Sequence, residues 1–118
     1  LVNQWQASQG IDCRLRVGEH LPTLPGASRT HLYRLLQEAL TNVARHAGAS
    51  QVRVRLQRST KGLRLLIRDN GCGARQPQRP GVGLHSMAER ARSLGGELRI
   101  FSRPGVGWAL ALNIPLEV

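Results

Sequence analysis

The sequence predicts an α+β domain, a two-layer sandwich whose mixed five-stranded sheet carries helices on one face and water on the other. Three observations predict it. Five short segments alternate apolar and polar residues at a period of two. Two longer segments carry apolar residues at helical spacing, and clusters rich in glycine, proline and polar residues separate the pieces.

In chain order, residues 1 to 9 offer Leu1, Val2 and Trp5 as the apolar contacts of a helix end. A strand follows near residues 11 to 17, where Ile11, Cys13, Leu15 and Val17 alternate with Asp12, Arg14 and Arg16. The stretch Gly18 to Ala27, with Pro22, Pro25 and Gly26, is a turn region, and Ser28 is the expected N-cap of the first long helix. Leu32, Leu35, Leu36, Ala39, Leu40 and Val43 form its apolar stripe, and Gly48 supplies its stop. Strands near 51 to 57 and 63 to 69, joined by Arg58-Ser59-Thr60-Lys61-Gly62, read as an antiparallel hairpin. Cys72 to Pro80 has no apolar period and is expected to be a mobile loop. Leu84, Met87, Ala88, Ala91 and Leu94 then mark a second helix closed by Gly95-Gly96. A second hairpin, Glu97 to Ser102 and Trp108 to Pro115, turns at Pro104-Gly105-Val106-Gly107.

A length of 118 residues suits one domain over 1–118. The start at Leu1, with neither a basic leader nor an apolar run, suggests an excised, soluble, cytoplasmic piece of a longer protein. No segment approaches the roughly 20 apolar residues of a membrane helix. Cys13 and Cys72 are too far apart for a metal knuckle, and His20, His31, His46 and His85 lack ligand spacing, so no metal is assigned to the protein itself. The formal net charge of +10 raises the question of nucleic acid. Yet the arginines fall largely on the polar face of strands, and aromatics are only 3% of the chain, which disfavours a stacking platform. A solvated cationic sheet face is the preferred reading, and a docking surface for an acidic partner is the alternative.

Chemistry concentrates in three places. Glu38 and Asn42 lie four apart and share a helix face with Arg45 or His46 at the edge of the apolar stripe. There a carboxylate can orient or deprotonate a hydroxyl, a carboxamide oxygen can meet magnesium, and cations can meet phosphate. The plainer reading is a solvated helix flank. Asp69 ends an apolar strand ahead of Gly71 and Gly73, which leaves bare backbone beside a fixed carboxylate able to accept a hydrogen bond from an exocyclic amine such as that of adenine. Its alternative is an ordinary Asx turn. Gly81-x-Gly83 immediately precedes a helix, whose free N–H groups attract phosphate. Ser86 stands where a dinucleotide fingerprint needs its third glycine, and Lys61, the sole lysine, is misplaced for a P-loop.

Taken together, QEALTNVARHAGA at 37–49, DNGCG at 69–73 and GVGLHSMAERARSLGG at 81–96 closely resemble the ATP-binding catalytic domain of bacterial sensor histidine kinases. Leu32-Tyr33-Arg34 and Glu89-Arg90 ahead of Leu94-Gly95-Gly96 are similar to the short-lid class that includes nitrate/nitrite and hexose-phosphate sensors. The resemblance implies a Bergerat fold, shared with gyrase, the Hsp90 chaperone and mismatch-repair ATPases, and it implies Mg-ATP as ligand. Asn42 would ligate magnesium, Glu38 would assist phosphoryl transfer, Arg45 and His46 would approach phosphates, and Asp69 would bind the adenine amine. Gly71, Gly73, Gly81, Val82, Gly83 and Leu84 would line the nucleotide, with residues 74 to 80 as its lid. Implied partners are an upstream dimerisation domain carrying the phosphoaccepting histidine, a response regulator, and a membrane-anchored homodimeric parent; nucleic acid is not among them. Gly107 is followed by Trp108, whereas such kinases usually carry a threonine that supports the adenine site. The rival readings are an anti-sigma-factor serine kinase and a degenerate domain kept as a regulatory scaffold.

Overall fold

The computed structural model describes residues 12–46, 51–71, 82–103 and 107–115, with backbone alone at 43–46, 82–85 and 102–103. Its elements are β1 (Asp12–Val17), α1 (Gly26–His46), β2 (Gln51–Arg58), β3 (Gly62–Asp69), α2 (Val82–Ser93), β4 (Glu97–Arg103) and β5 (Gly107–Pro115). The five strands form one sheet in the order β1-β2-β3-β5-β4. The β1–β2 pair is parallel and the other three are antiparallel, so the sheet is mixed, as expected.

Alternation along the strands divides the sheet into two faces. Cys13, Val52, Val54, Leu63, Leu65, Ile67, Leu110, Leu112 and Ile114 are buried, and they join Leu35, Ala39 and Leu40 of α1 and Met87 and Ala91 of α2 in a single core. Leu32 and Leu36 flank that core half-buried, which reproduces the helical stripe read from the sequence. Registers such as Val54↔Ile67 and Ile67↔Leu110 keep the apolar side chains aligned across strands.

Both helix starts differ from expectation. The carbonyl of Pro25 accepts the N–H of Arg29 at 3.0 Å, so the cap is Pro25 and Ser28 lies inside the first turn. Gly26 and Ala27 impose no competing side-chain bond, and the buried Leu24 just before them ties the entry to the core. Helix α2 likewise begins at Val82, placing Gly83 within its first turn rather than ahead of it. Its N–H still belongs to the group of four that a helix start leaves without an intrahelical partner. The end of α2 follows the sequence closely: Gly95 has φ 68°, its N–H donates to Arg92 O at 2.9 Å, and the N–H of Gly96 donates to Ala91 O at 2.8 Å. These two bonds define a Schellman stop.

Leu15 and Val17 point to the helix side, as their alternation predicts, yet they are 48% and 56% exposed. Strand β1 is the sheet edge, with a neighbouring strand on one side only. Among the described residues no helix is long and apolar enough to cross a membrane. The expected N-terminal helix at 1–9, Gly48, Cys72, the loop and lid through residue 80, and the turn at 104–106 lie outside the described residues.

Candidate functional site

Strand β3 delivers Asp69 to the end of the sheet and buries it to 5% exposure. One oxygen, Oδ1, accepts the N–H of Gly71 at 2.8 Å and the N–H of Trp108 at 3.3 Å. The other, Oδ2, is buried without a hydrogen-bond partner. Burial raises this carboxyl above its ordinary pKa, and the two backbone donors offset only part of that rise. A fixed acid with one bare acceptor suits a ligand that brings an N–H donor.

The neighbouring backbone explains how Asp69 is held. Asn70 closes the β2–β3 end: its N–H donates to Gln51 O at 3.1 Å, and its Oδ1 accepts the N–H of Gln51 at 2.9 Å. Gly107 has φ 136°, and a Cβ there would lie 2.5 Å from the Asp69 carbonyl oxygen. Only glycine lets β5 approach closely enough for the next N–H, that of Trp108, to reach Asp69. Trp108 itself is 7% exposed and belongs to the core. At this position the donor that reaches the acid is the backbone N–H of Trp108 and not its side chain. A cavity of about 580 Å³ opens here, lined by Arg68, Asp69, Asn70, Phe101, Gly107, Trp108 and Ala109.

The second cluster joins the helices. Glu38 of α1 is half-buried; its Oε1 accepts Ser86 Oγ–H at 2.9 Å and Arg90 Nε–H at 3.4 Å, both from α2. Its Oε2 is buried and has no partner. Asn42, one turn further along α1, is half-buried too, consistent with a polar strip at the edge of the apolar stripe. Asn42 does not line the cavity at Asp69. The side chains of Arg45, His46, Val82, Gly83 and Leu84 lie outside the description, as do Gly73 and Gly81 entirely. Among the described residues, no group of three His, Cys, Asp or Glu side chains converges to hold a metal.

Sequence reasoning missed Ser86 and Arg90 as partners of Glu38, and Arg68 and Phe101 as cavity walls. The helix pair had a faint signal, since Ser86 and Arg90 are four apart and share one face of α2. Which face of α1 they would meet is a tertiary fact.

Residues 27–118 match the family described as histidine kinase-, DNA gyrase B-, and HSP90-like ATPase. The chain is 35% identical over 118 residues to the sensor histidine kinase LiaS of Bacillus subtilis, an alignment covering 98% of this chain and 32% of LiaS. With the nitrate/nitrite sensor protein NarQ of Escherichia coli it shares 39% identity over 115 residues, 93% of this chain and 19% of NarQ. The fold superposes on the blue-light activated histidine kinase EL346 of Erythrobacter litoralis with a TM-score of 0.80 at 22% identity, covering 98% of this chain and 39% of that one. The chain thus spans a third or less of the curated relatives named, and it corresponds to their ATPase portion rather than to the whole kinase. With a mixed sheet under two helices, a family match over 27–118 and sensor kinases among its relatives, the chain belongs to the histidine kinase-, DNA gyrase B-, and HSP90-like ATPases.

Proposed function

We propose that residues 1–118 form the catalytic domain of a two-component sensor kinase, which binds Mg-ATP and donates its γ-phosphate to a histidine on a dimerisation domain absent from this chain. The observation that carries this reading is Asp69, whose Oδ1 is held by two backbone N–H groups while Oδ2 stays buried and bare. Such an acceptor fits the exocyclic amine of adenine and rejects the keto oxygen that guanine offers at the same place. The bare backbone of Gly71 and Gly107 leaves room for a flat base beside it.

Asn42 would contribute a neutral oxygen to magnesium, which when bound neutralises charge on the triphosphate. Glu38 would orient the acceptor histidine, and Arg45, His46 and the N–H groups at Gly81, Val82, Gly83 and Leu84 would hold phosphate oxygens. Gly73 and the lid at 74–80 would close over the nucleotide. Most of the catalysis in this scheme is positioning and electrostatics, with little covalent work for the protein. The parent would be a membrane-anchored homodimer with its kinase region in the cytoplasm, passing phosphate to a response regulator.

Titration calorimetry with a non-hydrolysable ATP analogue, with and without magnesium, tests the reading. We expect magnesium-enhanced binding of the adenine nucleotide and none of the guanine counterpart. Absence of binding at millimolar ligand would overturn the reading and favour the scaffold alternative, for which Trp108 in place of threonine is the supporting feature.

A further inference from the structure

We propose that the sheet face turned away from the helices is a docking surface for an anionic lipid bilayer. Arg14, Arg53 and Arg68 stand directly opposite one another across β1, β2 and β3. Arg16 and Arg55 repeat the pairing two residues on, and Arg99 lies in the same row on β4. Arg64 adds a further charge nearer the other end of β3. Asp12 and Glu97 are the acids of this face, and each is taken by the arginine two residues along: Arg14 at 3.4 Å and Arg99 at 3.0 Å. Arg16, Arg53, Arg55, Arg64 and Arg68 have no ion pair among the described residues.

Like charges placed directly opposite in a sheet destabilise it, so this arrangement costs the isolated domain stability that an external anion would restore. The geometry selects the anion. Neighbouring strands lie about 4.8 Å apart and same-face residues along a strand about 7 Å, so the charges fill a two-dimensional patch rather than follow a line. A duplex nucleic acid meets a broad face only along a stripe, and a single strand needs aromatic stacking platforms. Phe101, 59% exposed at the rim, is the one aromatic on this face among the described residues. An acidic peptide would also track a line. A bilayer surface presents phosphate in two dimensions, attracts arginine electrostatically, and accepts an aromatic ring at the headgroup level. Docking by this face leaves both helices turned away from the lipid.

The test is sedimentation of the 118-residue chain with vesicles of phosphatidylglycerol and phosphatidylcholine in equal parts, set against pure phosphatidylcholine. The face variant is Arg16→Gln/Arg53→Gln/Arg55→Gln, which spares Arg68 at the cavity beside Asp69. A charge-matched control, Arg29→Gln/Arg58→Gln/Arg92→Gln, removes exposed arginines elsewhere. Each face arginine removed should lower partitioning onto the anionic vesicle about fivefold, whereas the control should lose less than about a tenth as much binding as the face variant. Thermal melts of the face variant should hold or rise at low salt, since like-charge neighbours are gone. Equal loss in both variants would reduce the effect to net charge and overturn the proposal. So would undiminished binding by the face variant, or tighter binding of the wild type to single-stranded DNA or polyglutamate than to the vesicle at matched anion concentration.

Discussion

Asp69 combines two demands that conflict in the ligand-free domain. Its carboxyl is pushed above the ordinary 3.8 by burial, so the native state holds the proton more tightly than the unfolded chain does. The stabilising contribution is therefore complete below 3.8 and is lost as pH rises through the higher native value. At neutral pH the buried carboxylate is a cost, and we expect Asp69→Asn to raise the stability of the free domain by on the order of 1 kcal/mol in urea titrations. The same change should weaken the ATP analogue about 10- to 100-fold, because the amide offers its N–H where the adenine amine needs an acceptor. In the wild type, affinity should fall as pH drops through the raised value, and the Asn variant should lack that limb. A destabilised variant with unchanged affinity would assign Asp69 to structure alone.

The two helices are tied by a polar bond as well as by the core. Glu38 receives Ser86 and Arg90 at side-chain exposures of 28% and 29% for the ion pair, which places the contact between a surface bridge and a buried one. A double-mutant cycle with Glu38→Gln and Ser86→Ala should yield a coupling of about 1 kcal/mol. A coupling near zero in the free domain would show that the oxygens are held by water instead. Along the strands, the period-two alternation foretold the buried faces of β2, β3 and β5 correctly, because those strands are interior and one face always meets the helices. It foretold too much burial for β1, where edge position leaves Leu15 and Val17 open.

For the domain taken whole, nucleotide binding and phosphoryl transfer should separate. Incubated with radiolabelled ATP, the isolated chain should take up no covalent phosphate, since its histidines lie outside a helical acceptor hairpin, yet an ATP analogue should raise its melting temperature. At about 100 times the dissociation constant, binding adds about 2.7 kcal/mol to stability. If the proposed function holds, a histidine-bearing dimerisation domain supplied with the chain should take up the label. Label appearing on this chain alone would overturn the assignment of the acceptor.

Much was legible from the order of residues: five strands, two helices, the hairpins, the Gly95 stop and an acid, Asp69, fixed at the end of β3. These depend on local periodicity and turn chemistry, which operate over a few residues and leave their mark in the sequence. Helix starts were less legible, because Pro25 and Leu24 outcompeted the better N-cap at Ser28 through entry geometry and burial. What only the tertiary structure decided is pairing across long separations: β1 beside β2 in parallel, Glu38 against Ser86 and Arg90, Trp108's N–H on Asp69, and arginines aligned into one face. Each depends on registers between segments tens of residues apart, where the chain's local pattern says which side faces inward and packing alone chooses the partner.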